Sequence, residues 1–170
     1  MIPRRVSDLM EKEVHCAGPD ERVSDVAAVM HAKGIGAVIV MRDGVPAGIF
    51  SERDLLKRVV AMGIDPKSVP VSAVMTAKMM SVSPTADILV VAHLMHNRGF
   101  RHMPVMEDGE LRGILSVRDV LGALVAVAQC LSASGATIGR TGAPRSAAAS
   151  RSAHRTSGPR SPGQRRCPPA

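Results

Sequence analysis

Ser116 and Asp119, two side chains with complementary hydrogen-bonding chemistry, lie three residues apart in the stretch GILSVRD. A Ser followed by an acid at this spacing is typical of a capping box, which satisfies backbone N–H groups at the start of a helix. The stretch GIFSERD repeats the pattern with Ser51 and Asp54. Helix capping accounts for the Ser and the Asp, but it does not account for the repeated Gly and Arg.

A ligand with a phosphate and a ribose accounts for all of these residues. A helix N-terminus favours phosphate because its N–H groups lack partners and its dipole end is positive, and the Ser hydroxyl is a further donor. Arg53 and Arg118 carry guanidinium groups suited to phosphate oxygens. The two oxygens of an ionised Asp match two ribose hydroxyls, and we expect Gly48 and Gly113 to let the strand approach a base. The pattern therefore predicts nucleotide binding.

Both stretches belong to one unit that occurs twice. A shift of 65 positions aligns residues 6–61 with residues 71–126 without a gap, and 21 of the 56 pairs are identical. A unit of about 55 residues has too small a core to be stable alone. We therefore expect two copies packed sheet against sheet around a pseudo-twofold axis, with two equivalent clefts between them.

Each unit predicts the order strand, helix, strand, strand, helix, so the fold class is α+β with two tandem β-α-β-β-α repeats. Short helical turns at 6–10 and 71–75 come first, and extended segments around 14–17 and 79–82 predict the first strands. The two Asp-Gly pairs at 43–44 and 108–109 predict tight hairpins. Helices beginning at Ser51 and Ser116 end the units. Apolar residues at helical spacing predict the buried stripe of the first long helix in each unit: Val23, Val26, Ala27 and Met30, then Ile88, Val91, Ala92 and Met95.

Charge separates the chain into a neutral body and a basic tail. We expect the first repeat at residues 1–66, the second at 67–131, and a disordered tail at 132–170. The body carries 15 basic and 15 acidic residues, whereas the tail carries seven Arg and no acid, so the net charge of +7 comes from the tail alone. The tail has too few large apolar residues to offset the entropy of ordering. Its Arg residues suggest nucleic-acid association as an alternative, but without aromatic stacking that binding would be non-specific, so nucleic acid is a poor candidate partner.

Several other kinds of chemistry are not indicated. The spacing of Cys16, Cys130 and Cys167 predicts neither a disulfide framework nor a zinc site, so we expect a reduced, cytoplasmic protein. His93 and His96 share a helix face, yet no further ligand completes a metal site, so we expect them at the surface. The longest apolar stretch, around 121–128, is too short to span a bilayer. No nucleophile with an adjacent base occurs, so we expect no enzyme and no required cofactor.

The repeat, the stretch FRHMPV and the two Gly-x-x-Ser-x-x-Asp motifs resemble a tandem pair of cystathionine beta-synthase (CBS) domains, the Bateman module. The resemblance covers about residues 4–130. It implies that clefts between the repeats bind adenosine-containing ligands such as AMP, ADP, ATP, NAD or S-adenosylmethionine. It also implies that Asp54 and Asp119 bind ribose and that Ser51 and Ser116 lie beside the phosphate.

The resemblance further implies that the strand preceding each motif lines the cleft. FRHMPV contributes Arg101 and His102 in the second repeat, whereas Gly36 and Ala37 occupy the equivalent positions in the first. We therefore expect the site built on Asp119 to be the stronger one, because the other lacks the Arg and the His. The predicted nucleotide-binding residues are Gly36, Ala37, Ile49, Ser51, Arg53 and Asp54, together with Arg101, His102, Met103, Ile114, Ser116, Arg118 and Asp119.

These observations predict a stand-alone regulatory module that senses an adenine nucleotide and signals through a second copy or an unidentified regulated protein. The resemblance implies a homodimer, and the apolar final helix DVLGALVAVAQCL offers a surface that a second copy would cover. A ligand-free interaction adaptor, whose motifs remain only as helix caps, is the further alternative.

Overall fold

The computed structural model of the protein describes residues 3–134, so the predicted tail lies outside the described residues apart from its first three positions. A 3-10 helix at Val6–Asp8 comes first. The first repeat contains β1 (Cys16–Ala17), α1 (Val23–Lys33), β2 (Ala37–Arg42), β3 (Val45–Ser51) and α2 (Glu52–Asp54), which continues as a π-helix (Leu55–Val60). The second repeat contains α3 (Val71–Val74), α4 (Ile88–Arg98), β4 (His102–Glu107), β5 (Glu110–Ser116) and α5 (Val117–Ser134). The predicted α+β fold of two tandem repeats is confirmed.

The two sheets differ by one strand. In the first sheet β1 pairs parallel to β2, and β2 pairs antiparallel to β3. In the second sheet β4 pairs with β5, and the predicted strand around 79–82 is reduced to a single bridge between Val82 and Val105. The N–H of Ile39 donates to the His15 carbonyl in the first repeat at 3.1 Å. Pro104 occupies the equivalent position in the second repeat and has no N–H to donate, so the pairing is shorter.

Both hairpins form at the predicted Asp-Gly pairs. Asp43 and Gly44 have φ values of 52° and 80°, and Asp108 and Gly109 have values of 51° and 82°. Two consecutive residues with positive φ make the type I′ turn, whose twist matches that of the flanking strands. The turns fix the strand register that brings Ser51 opposite Ala37 and Ser116 opposite His102.

Each repeat has its own apolar core, and each core is completed by a segment of the other repeat. Val23, Val26 and Met30 are buried in the first core, as the helical spacing predicted. Val71, which leads the second repeat, is also buried there, whereas Val6 is buried in the second core. We call residues 5–13 and 70–78 the crossing segments. They pack across the pseudo-twofold axis and bind the repeats into one unit.

The closing helices of the two repeats, which are α2 with its π-helical continuation and α5, bury only part of their apolar residues. Val59 and Val120 are buried, but Leu56 and Leu121 are each 60% exposed. Val60 and Val125, at 63% and 48% exposure, lie one helical turn further along. The exposed residues are related by the same shift of 65 positions, so the two helices present matching apolar faces to solvent.

The structure also bears on metal binding and on membrane insertion. His93 and His96 are exposed on α4, and the described residues contain no group of His, Cys, Asp or Glu that could hold a metal ion. No helix within residues 3–134 has the length and apolar character needed to cross a membrane.

Candidate functional site

Both Ser-x-x-Asp motifs form capping boxes. The Ser51 N–H and hydroxyl donate to Asp54 Oδ2 at 3.0 and 2.6 Å, and the Asp54 N–H donates back to Ser51 Oγ at 3.4 Å. The Ser116 N–H and hydroxyl donate to Asp119 Oδ2 at 3.2 and 2.5 Å, with the return bond at 3.2 Å. The caps use Oδ2, so Oδ1 of each Asp takes no part in the capping bonds.

Each motif lines a cleft that contains residues of both repeats. The first cleft, with a cavity volume of about 290 Å³, is built on the Asp54 motif. The crossing segment that follows the first repeat pairs with β3 through Thr76 and Ile49, and so forms one wall. The start of β4 forms the opposite wall. The lining residues are Gly36, Ile49, Ser51, Glu52, Arg53, Asp54, Lys57, Arg58, Thr76, Lys78, Met79, Met80, Arg98, Gly99, Phe100, Arg101, His102 and Pro104.

The second cleft, of about 540 Å³, is the pseudosymmetric counterpart and is built on the Asp119 motif. The N-terminal crossing segment pairs with β5 through Glu11 and Ile114 to form the equivalent wall. The lining residues are Leu9, Glu11, Glu13, Val14, His15, Gly34, Ile35, Gly36, Ala37, Glu52, Arg101, His102, Ile114, Ser116, Val117, Arg118 and Asp119.

Twelve of the thirteen predicted site residues line a cleft, and Met103 does not. Met103 is fully buried in the second core cluster. Successive side chains of a strand point to opposite faces, so His102 and Pro104 line the first cleft while Met103 points into the core. Met103 therefore lies outside both clefts.

Arg101 and His102 lie at the boundary between the clefts and line both of them. A Cβ atom placed on Gly36 would lie 2.8 Å from Cε1 of His102, so the glycine leaves room for the imidazole ring beside the start of β2. The expectation that the first cleft lacks the Arg and the His is wrong. Gly36, Arg101 and His102 all line both clefts, so each cleft contains residues of both repeats.

The first cleft is strongly cationic. Six basic side chains line it against two acidic ones, Glu52 and Asp54. The basic residues are Arg53, Lys57, Arg58, Lys78, Arg98 and Arg101. Arg53 donates to the neutral Gly99 carbonyl at 2.7 Å and forms no ion pair among the described residues. Such a cleft attracts a phosphate group.

Asp54 is held by two partners that sequence motifs did not indicate. Thr76 Oγ1 donates to Asp54 Oδ1 at 3.2 Å, and Arg58 Nε lies 3.5 Å from the same oxygen. Arg58 also donates to the Met75 carbonyl at 2.5 Å. The spacing of Asp54 and Arg58, four residues apart on a helix, was the available sequence signal for this ion pair. No sequence motif indicated Thr76, because this residue reaches the first cleft only through the position of its crossing segment.

The second cleft has the opposite charge. Four acidic side chains, Glu11, Glu13, Glu52 and Asp119, line it against two arginines and two histidines. Among the described residues Asp119 hydrogen-bonds only with Ser116. The position equivalent to Arg58 is Ala123, so this Asp has no counterpart of the Arg58 ion pair.

His102 lies between the acidic groups of the two clefts. Burial is the largest influence and lowers the pKa of His102 below its ordinary value of 6.5. The negative charges of Glu52 and Asp119 raise the pKa in part, and the positive charges of Arg101 and Arg118 lower it further. The imidazole is therefore neutral near pH 7.

Gly48 and Gly113 have a different use from the predicted approach to a base. A Cβ on Gly48 would lie 2.9 Å from the Thr76 carbonyl oxygen and 2.6 Å from Met75 Sδ. A Cβ on Gly113 would lie 2.8 Å from the Glu11 carbonyl oxygen. Both glycines admit the backbone of a crossing segment.

Comparison with known proteins gives a consistent picture. The family profile described as the CBS domain matches residues 6–61 and 71–126. An uncharacterized protein of Methanopyrus kandleri is 30% identical over 68% of this chain, and the mitochondrial CBS domain-containing protein CBSX3 of Arabidopsis thaliana is 34% identical over 62%. The matches span 60% and 54% of those two relatives' own lengths.

Solved structures resemble the chain over its body. A CBS-domain containing protein from Agrobacterium tumefaciens is 38% identical with a TM-score of 0.67, covering 71% of this chain and 98% of that one. A CBS domain protein from Pyrobaculum aerophilum, solved in complex with AMP, is 26% identical with a TM-score of 0.64, covering 74% of this chain and 98% of that one. A hexameric CBS-CP12 protein from bloom-forming cyanobacteria is 30% identical with a TM-score of 0.65, covering 71% of this chain and 67% of that one.

Proposed function

The chain belongs to the CBS domain family, and from that premise we propose that it is a regulatory module whose first cleft binds an adenosine-containing ligand with a phosphate group. The observation that carries the proposal is the convergence of the Asp54 motif and six basic side chains on one cleft. The solved neighbour from Pyrobaculum aerophilum in complex with AMP supports an adenine nucleotide as the ligand class.

The proposed roles follow from the chemistry of each side chain. Oδ1 of Asp54 accepts from the ribose hydroxyls, in place of its bond from Thr76. Lys78, Arg98 and Arg101 receive the phosphate, since they form no ion pair among the described residues. AMP, ADP, ATP and NAD therefore suit the first cleft better than S-adenosylmethionine, whose sulfonium group is cationic. The ligand is sensed without a catalytic step.

The module signals ligand binding through contacts with another protein chain. A ligand shifts an assembly only by binding its states unequally, and Arg53 already links the first cleft to the second repeat through Gly99. We propose a homodimer as the assembly, with the matching apolar faces of the closing helices as its surface.

Calorimetry with AMP tests the ligand proposal. Asp54→Asn keeps a side-chain oxygen for the helix cap but removes the charge, and Asp119→Asn is the matched control. Loss of a charge-assisted hydrogen bond of about 1.5–3 kcal/mol predicts roughly 10- to 100-fold weaker AMP binding by Asp54→Asn. Asp119→Asn should bind as the wild type does.

Thermal melts of the same variants separate binding from folding. Two variants that bind AMP like the wild type while melting at a lower temperature would contradict the binding role of Asp54 and leave both motifs as helix caps. A wild type that binds no AMP would favour the ligand-free adaptor. Loss of binding only in Asp119→Asn would assign the ligand to the second cleft instead.

A further inference from the structure

The backbones of the two clefts are built alike. In the first cleft Thr76 and Ile49 exchange N–H to carbonyl bonds of 2.8 and 3.0 Å. In the second cleft Glu11 and Ile114 exchange bonds of 2.9 and 2.9 Å. The Ser and Asp of the capping box stand at equivalent positions in both. The clefts therefore differ in their side chains rather than in their frames.

The crossing segments carry much of that difference. Thr76 and Lys78 line the first cleft, and the equivalent positions of the second are Glu11 and Glu13. The Glu11 carboxylate accepts the N–H of Glu13 at 3.0 Å, which holds it on the segment. In place of a hydroxyl and an ammonium group, the second cleft thus presents two carboxylates beside Asp119.

Resting on the proposed function, we infer that Glu11 and Glu13 are specificity-determining residues that exclude a phosphate-bearing ligand from the second cleft. The chain then binds one such ligand, in the first cleft. Carboxylates repel phosphate, and the repulsion is strong within a cleft because the protein walls screen it less than water does. Arg101 lines both clefts and serves as a phosphate partner in the first, so among the described residues only Arg118 remains as a guanidinium for the second.

Exchange of the crossing-segment residues tests this inference. The double variant Glu11→Thr/Glu13→Lys gives the second cleft the residues of the first. Both positions are exposed, and Thr suits the extended backbone, so the variant should fold. With AMP as the probe, calorimetry of the wild type should give one site per chain, with any second site at least tenfold weaker. The double variant should give two sites within about tenfold of each other, with the first-site affinity unchanged.

Two further variants show which cleft holds the new AMP site and provide an independent check of the inference. Adding Asp119→Asn to the double variant should return the stoichiometry to one, and the single variant Glu13→Lys should strengthen the second site in the same direction by a smaller factor. Two equal sites in the wild type would overturn the inference while leaving the proposed function intact. A double variant that melts like the wild type yet still binds one AMP would also overturn it. A wild type that binds no AMP would contradict the proposed function and this inference together.

Discussion

Asp54 serves the helix and the cleft at once. Oδ2 completes the capping box with Ser51, while Oδ1 faces Thr76 and Arg58. The structural interpretation and the ligand interpretation of the motif are therefore compatible, because they use different oxygen atoms of the same carboxylate. The caps at both motifs follow from the Ser-x-x-Asp spacing alone. The charges around the first motif follow only in part, because Arg53, Lys57 and Arg58 lie beside it in sequence. Lys78, Arg98 and Arg101 come from distant parts of the chain.

His102 should make the stability of the fold depend on pH. Its pKa in the native state lies below the ordinary value of 6.5, because burial disfavours the charged ring. The unfolded chain therefore takes up this proton at a higher pH than the native chain. The contribution of His102 to stability is complete above about pH 6.5 and is lost as the pH falls toward the native pKa.

Thermal melts between pH 7.5 and pH 5 check this prediction. The melting temperature of the wild type should fall more steeply with acidification than that of His102→Gln, which has no ring to protonate. His96→Gln, at an exposed position on α4, is the matched control and should follow the wild type. Parallel curves for the wild type and His102→Gln would contradict the assignment of a buried, neutral His102.

At the scale of elements, the crossing segments determine which residues meet. Periodicity and the Asp-Gly pairs predicted the helices, the hairpins and the buried stripe of α1, because those features depend on neighbours in sequence. The sequence pattern could not show that residues 5–11 complete the second core, since an apolar stripe indicates a buried face without naming its partner. The wrong expectation about Arg101 and His102 has the same cause. The predicted strand near Met80 is reduced to a single bridge because Pro104 has no N–H to donate. The sequence shows this only when Pro104 is compared with Ile39, the equivalent residue of the first repeat.

Gly48→Ala and Gly113→Ala should each destabilise the fold by about 1–3 kcal/mol, because the added methyl group meets the backbone of a crossing segment. Gly122→Ala is the matched control: nothing lies within 4 Å of its Cβ position in α5, so a gain of up to about 1 kcal/mol is expected from helix propensity. Urea denaturation measures all three variants. Gly48→Ala should also weaken AMP binding, since Thr76 must move, and unchanged stability at positions 48 and 113 would contradict the close approach.

At the scale of the whole molecule, the matching faces of the closing helices account for the apolar residues left outside both cores. Leu56 and Leu121 are equally exposed and repeat-related, so a second copy meets the same chemistry on both repeats. A surface of this kind is self-complementary under a twofold axis. The proposed dimer therefore covers surface that the folding of one chain cannot bury.

Leu121→Glu should convert the proposed dimer to a monomer. Light scattering after size exclusion at micromolar concentration should give twice the 17.9 kDa of one chain for the wild type and a single chain mass for the variant. Val45→Glu, which alters an exposed apolar residue on a hairpin, is the control and should remain dimeric. A wild type with the mass of one chain, or a dimeric Leu121→Glu variant, would contradict this surface.

The most direct test of the central claim is a crystal structure of the full chain grown with AMP. The account predicts one AMP per chain in the first cleft, with its ribose hydroxyls within hydrogen-bonding distance of Asp54 and its phosphate among Lys78, Arg98 and Arg101. AMP bound at Asp119 in the second cleft, with the first cleft lacking it, would contradict the account.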